Sequence, residues 1–495
     1  MVARSVTAAF SGIEPIMVSC EAMVSPGVPR FALVGLPDKA VSEARERILG
    51  AFSAIGLAIP PKKIVVNLAP ADVAKEGSHF DLPIALAILG ALDIVPADRI
   101  EGYMAMGELS LSGDIRPVSG ILPAAAAAQA ASLGMVCPGE QRGEALWAGN
   151  KDAIGARDLR SLINHLNGVQ LIASEVAPAV FEESYSVDMS EIRGQDSARR
   201  ALEIAASGGH HMLMIGPPGV GKSMLAQRLP TILPPMTGAE ALESSIIYSV
   251  AGMIREGALC ISRPFRAPHH TASQAALTGG GMRAKPGEAS LAHNGVLFLD
   301  ELPEFASASL DSLRQPLENG VITVARANGH ITYPARFQLV AAMNPCKCGY
   351  FGDPNRSCAQ VPLCAVKYQN RISGPMYDRI DLTVEVESVN PWELDRLRPS
   401  EPSAAIRARV IAARQRQLAR FGVLNSGLSG KQIEEQGLFE SAASRMLAGA
   451  SEKLRLSARG YFKTMRIART IADMDARETV RESDVAEALL FRRKV

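Results

Sequence analysis

What this chain lacks narrows its class first. Its 52 basic and 51 acidic residues leave a formal net charge of +1 over 495 residues, so no overall field marks it out for nucleic acid or a charged surface. Any such surface must be local. No apolar run reaches 18 residues, and the opening MVARSVTAAFSGIEPIMV lacks the long apolar stretch of a secretory leader. No membrane is therefore expected, and the cytoplasm is the expected compartment. Cysteine is scarce as well: there are seven, of which Cys20, Cys137 and Cys260 are isolated and read as ordinary thiols. A disulfide framework is excluded.

What is present is a globular composition, 47% hydrophobic and 21% charged, long enough for roughly two to four domains. Residues 1–165 alternate strand-like runs, FALVGL at 31–36 and KIVVNLAP at 63–70, with helix candidates such as DLPIALAILGAL at 81–92. That pattern predicts α/β layering. Residues 166–190 lose periodicity and read as a linker, 191–385 form a second α/β block, and 386–495, rich in Arg, Ala, Leu and Glu, read as a helical domain.

The most specific signal opens the second block. Gly216-Pro217-Pro218-Gly219-Val220-Gly221-Lys222-Ser223 is a complete G-x-x-x-x-G-K-[ST] phosphate loop after the apolar run Met212 to Ile215. Its glycines let backbone N–H groups turn onto phosphates, Lys222 supplies a cation, and the Ser223 hydroxyl can ligate Mg²⁺. Further on, Gly295-Val-Leu-Phe-Leu ends in Asp300 and Glu301, carboxylates suited to holding Mg²⁺ and polarising water. A third strand, Phe337 to Met343, ends in Asn344, an amide able to orient that water. Arg379, in YDRID at 377–381, is either a surface salt-bridging residue or a cation offered to a neighbouring subunit's nucleotide.

Cys346, Cys348, Cys358 and Cys364 share one glycine- and proline-bearing loop that cannot bury a core. Four thiolates there predict a structural zinc with no open position for substrate. Between the two nucleotide motifs, residues 263–293 set Arg263, Phe265, Arg266, His269, His270, Arg283 and Lys285 among glycines. Such a loop either tracks a phosphate backbone or is merely solvated. VITVARANGHITYPARF reads as a hairpin turning at Asn328-Gly329, with Arg326 and Asn328 near its tip, for DNA or for subunit packing.

Together GPPGVGKS, GVLFLDE, AAMNP and YDRID resemble an AAA+ ATPase, and PARFQLVAAMNP with ISGPMYDRIDL resembles its magnesium-chelatase-like branch. With its N-terminal half included, the whole chain is similar to the ComM/YifB family. The resemblance implies an AAA+ core with a parallel sheet and helical lid, ATP and Mg²⁺ as cofactors, and a homohexamer. It also implies a motor that moves DNA through a pore, migrating branches of recombination intermediates in natural transformation. In such proteins the lid carries a sensing arginine, matched here by Arg466 in LSARGYFKTMRIARTIADMD, and related motors place an insert and a hairpin at the pore. KEGSHFDLPIAL and MGELSLSGDIRPVSGILPAAAAA resemble the proteolytic domain of Lon, but His79 stands at the serine position and Leu122 at the lysine position. With Ser78 one residue off register, a Lon-like fold without peptidase activity is expected. The rivals are a chelatase-type motor acting on a protein partner, an ATP-dependent protease and a non-hydrolysing nucleotide switch.

Overall fold

The computed structural model describes residues 2–173, 185–254, 257–281, 285–326, 329–351, 361–388, 392, 399–434 and 438–492. The N-terminal region is built on a seven-stranded mixed sheet in the order Arg30–Val34, Lys63–Ala69, Glu14–Ser25, Val2–Ser11, Tyr103–Ala105, Gly134–Pro138, Ile154–Ala156. Helix Asp81–Ala91 is apolar after its first residue, Asp81, which is paired with Arg47, and every one of its residues is buried. A helix with no polar stripe to face water goes to the interior.

The second sheet is wholly parallel, in the order Phe265–Arg266, Val296–Leu299, Gln338–Met343, Met212–Ile215, Leu382–Glu385. Its central strands are continuous apolar runs because both faces are covered. On one face lies a core of Leu297, Leu299, Leu339 and Met343 with Leu302, Leu310 and Met376. On the other, Met212, Met214, Val340 and Val384 share one core with Ile406, Val410, Ile467, Ile471 and Val485 of the C-terminal helices. The C-terminal segment is helical as expected, in Ser403–Phe421, Ser441–Lys453, Ala458–Met474 and Glu482–Leu490. Among the described residues its apolar side chains belong to the sheet's core, so it closes the back of the sheet.

The N-terminal region meets helix Gly238–Ala251 of the second unit through a buried polar junction. The Ser249 hydroxyl donates to Glu144 at 2.6 Å, the Leu122 N–H donates to the same carboxylate at 3.3 Å, and the Gly120 N–H donates to the Ser249 carbonyl at 3.0 Å. Burial raises the Glu144 carboxyl above the usual range, and these donors oppose that rise. The two units also border a half-open cleft of about 660 Å³ lined by Phe10, Ser78, Ser119, Lys285, His330 and Tyr333. No described helix is long and apolar enough to cross a membrane.

Candidate functional site

Three parallel strands deliver their carboxyl-terminal residues to one place. After Ile215 the chain turns through Gly219 and Gly221 at φ values of 79° and 93°, left-handed backbone that residues with a Cβ avoid, and enters helix Lys222–Ile232. The Lys222 ammonium donates to the carbonyls of Gly216 and Pro217 at 2.7 and 2.8 Å and to the Asn344 amide oxygen at 3.0 Å. Burial lowers its pKa from the ordinary lysine value, and the nearby charges of Asp300 and Glu301 oppose that. The Ser223 hydroxyl donates to Asp300 at 2.6 Å. Lys222, Ser223, Asp300 and Asn344 thus converge from segments far apart in sequence. A triphosphate here would meet backbone N–H groups, one cation and a hydroxyl–carboxylate pair of the kind that holds Mg²⁺.

Glu301 has φ 53°, an uncommon left-handed residue for one with a side chain, at the mouth of this cleft. Its carboxylate lies 3.2 Å from Nδ1 of His270, whose ring is in contact with that of His269. Sequence reasoning placed His270 with the DNA contacts; the fold returns it to the nucleotide cleft, since the strand Phe265–Arg266 ends beside Val296–Leu299. Arg266 is likewise engaged, donating to both oxygens of Glu288 at 2.6 and 2.7 Å. Arg263 is a buried fastener on the Pro234 and Asn294 carbonyls. Of the remaining candidates, His269 and Lys285 are exposed, while Arg283 and Asn328 lie outside the described residues. Arg326 is placed only through its backbone, paired with Gly329. The hairpin itself is present as Val321–Arg326 and Gly329–Pro334, with Gly329 in the second strand opposite Arg326. Its return strand leans on the N-terminal region: a Cβ on Gly12 would lie 2.7 Å from the Ile331 side chain.

The two arginines expected to sense nucleotide lie elsewhere. Arg379 follows the short helix Gly374–Tyr377; its guanidinium is hydrogen-bonded to Glu318, and the side chain is only 9% exposed. Arg466 sits on helix Ala458–Met474 between Lys463, which donates to the Ile380 carbonyl at 2.7 Å, and Thr470, whose hydroxyl is 2.8 Å from His210. Those partners mark the amino-terminal end of the sheet, where the Asp381 N–H donates to the His211 carbonyl. The phosphate loop begins at the other end, five residues further along paired strands, roughly 16 Å away at ~3.3 Å per residue. Arg466 is therefore remote from the phosphate loop of its own chain. Asp381, buried there among His210, His211 and Lys463, is held far below the usual carboxylate range even though burial acts the other way.

Sequence reasoning missed Gln195, whose side-chain amide donates to the carbonyls of Val220 in the phosphate loop and of Glu387. A neutral side chain outside any motif gives no signal by itself. The cysteine loop is closed in part: the Sγ atoms of Cys346, Cys348 and Cys364 all lie within 4.8 Å of one another, and Cys358 lies outside the described residues. The isolated thiols behave as read, with burial pushing Cys20 up to about 12 and Cys260 to about 11.

In the N-terminal region the Ser78 hydroxyl is bonded to the Glu108 carboxylate and Leu122 is buried. His79 is buried with Nε2 at 2.8 Å from the Ala8 carbonyl, and the nearest lysine in sequence, Lys75, donates to the Pro70 carbonyl. None of these contacts joins a serine to an amine base.

Residues 188–394 match the family described as magnesium chelatase, subunit ChlI, and residues 20–141 and 400–492 match the two further families described as subunit ChlI of Mg-chelatase and its C-terminal part. The chain is 42% identical over 494 residues to competence protein ComM of Haemophilus influenzae, covering 98% of this chain and 96% of that one. It is 40% identical over 487 residues to the uncharacterized protein YifB of Escherichia coli, with coverage of 98% and 96%. A 41-residue stretch, 8% of each chain, is 51% identical to a putative Lon protease homolog of Thermoplasma volcanium.

Proposed function

Because the chain belongs to the magnesium-chelatase ChlI family, in the branch that includes competence protein ComM, we propose that it is an ATP-hydrolysing ring motor that moves DNA. The observation that carries this reading is the convergence of Lys222, Ser223, Asp300 and Asn344 at one end of a parallel sheet. In it Lys222 and the 216–223 loop hold the phosphates, Ser223 and Asp300 hold Mg²⁺, Glu301 polarises water and Asn344 orients it. Arg379 serves the nucleotide of the adjacent subunit after leaving Glu318. Arg466, distant from its own phosphate loop, also acts on a neighbour, so the working unit is an oligomer, proposed as a homohexamer in the cytoplasm. The three described cysteines hold a structural zinc. Their chemistry suits zinc, three thiols within 4.8 Å of one another, and on binding the Cys346–Cys348 pair, 3.0 Å apart, would open toward the ~3.8 Å that tetrahedral Zn–S bonds of about 2.3 Å require.

The DNA substrate, with branch migration during natural transformation as the proposed role, draws support from the similarity to a competence protein. Contacts to DNA are proposed for His269, Lys285 and the hairpin, with Arg326 at the end of its first strand. The test is the ATPase rate with and without single-stranded, duplex and four-way DNA. Stimulation by DNA, lost with rising salt, is expected; a rate indifferent to all three would return the reading to a chelatase-type motor acting on a protein partner. Peptidase activity is disfavoured by the partners of Ser78 and Lys75.

A further inference from the structure

The cysteine group is built against the nucleotide site rather than on a remote surface. Cys346 is fully buried two residues after Asn344, the residue that accepts from the Lys222 ammonium. The turn that follows closes on itself, the Gly349 N–H donating to the Cys346 carbonyl at 2.9 Å. Gly349 has φ 86°, and a Cβ there would fall 2.7 Å from Cδ of Pro218, inside the phosphate loop. Only a glycine lets this turn sit so close under the loop. The third thiol, Cys364, comes from helix Leu363–Gln369, whose Gln369 side chain donates to the Pro345 carbonyl at 3.0 Å. That helix therefore grips the segment between Asn344 and Cys346 from the other side.

From this geometry we infer that metal occupancy of the Cys346, Cys348 and Cys364 group controls nucleotide affinity: the closed cysteine turn is the support that holds Pro218 and Asn344 in place. The inference rests on the reading of 216–223 as the nucleotide site and of the thiols as zinc ligands. A divalent ion that draws thiolates from both arms ties the segment carrying Asn344 and Gly349 to helix Leu363–Gln369, adding to the Gln369 hydrogen bond already between them. The loop touches the phosphate loop at its amino-terminal half, through Pro218, and at Lys222, through Asn344. Loss of the ion would then loosen both contacts at once, while the sheet, whose strands Val296–Leu299 and Gln338–Met343 are fully buried, persists.

The experiment compares wild type, Cys364→Ser and Gly349→Ala for zinc content, for affinity toward a fluorescent ADP analogue at fixed Mg²⁺, and for helix content by circular dichroism. Wild type should hold about one zinc per chain. Cys364→Ser should lose zinc and bind nucleotide several-fold more weakly with its fold intact, whereas Gly349→Ala should keep zinc yet bind weakly, because its methyl displaces Pro218. Should Cys364→Ser misfold, removing zinc from wild type with a zinc-selective chelator and restoring it with Zn²⁺ alone must lower and then recover affinity. Zinc lost with affinity unchanged overturns the coupling and leaves the zinc reading standing. Reduced wild type that binds nucleotide but contains no zinc overturns the zinc reading, and no nucleotide binding by zinc-loaded wild type overturns the reading of 216–223.

Discussion

Single residues show how burial, more than identity, assigns roles here. Lys222 is held by two carbonyls and an amide oxygen, and this trades its hydration for a fixed aim across the phosphate loop. His79 illustrates the opposite outcome at the position where Lon-like proteins carry serine. Buried against the Ala8 carbonyl, it is pulled from its ordinary 6.5 down to about 4, so it is neutral in the fold and cannot serve as a charged group near pH 7. As pH falls, the unfolded chain takes up this proton before the folded one. Its stabilising effect is therefore complete above about 6.5 and is lost between 6.5 and 4, a gap equivalent to roughly 3 kcal/mol. Thermal midpoints taken at about pH 7 and pH 5 should fall further for wild type than for His79→Asn; equal falls would mean that His79 is not the buried neutral group described.

At the scale of elements, the junction between helix Gly238–Ala251 and the N-terminal region is a small polar cluster under an apolar cover. Glu144→Ala would leave the Ser249 hydroxyl and the Leu122 N–H without their carboxylate, costing about 1–3 kcal/mol. We expect a lowered thermal midpoint and faster proteolytic separation of the two units, with Glu144→Gln milder; a variant as resistant as wild type would contradict a structural role for the junction. Much at this scale was legible in advance. Met212 to Ile215 is a strand with the bounds its apolar run suggests, and the acidic and asparagine strands end where expected because period and turn residues are local. The hairpin strands pair as their alternation suggests, while Gly329 joins the second strand because Asn-Gly signals a turn without fixing which residues pair. Arg263, Arg266 and His270 were misplaced for a different reason: their partners Asn294, Glu288 and Glu301 approach only once the parallel strands align. Composition sees a basic loop, whereas packing neutralises half of it.

For the whole molecule, the proposed roles of Arg379 and Arg466 imply that one chain does not complete its own site. The phosphate loop, Asp300 and Asn344 lie at one end of the parallel sheet, while Arg466 is fastened near the other by the neighbours Lys463 and Thr470. Arg379 is occupied by Glu318. The lid shares a core with the sheet, so it cannot swing Arg466 across some 16 Å without exposing Ile467 and Ile471. A heterologous ring, in which each subunit offers its arginines to the next, resolves this without unfolding anything. The most direct measurement is the ATPase rate of Lys222→Ala and Arg379→Ala, each alone and mixed in equal amounts after subunit exchange. Each variant alone should be nearly inactive, and the mixture should recover activity toward about a quarter of wild type, the share of interfaces pairing an intact loop with an intact arginine. A mixture no more active than its components, with subunit exchange shown to have occurred, would contradict a site shared between subunits.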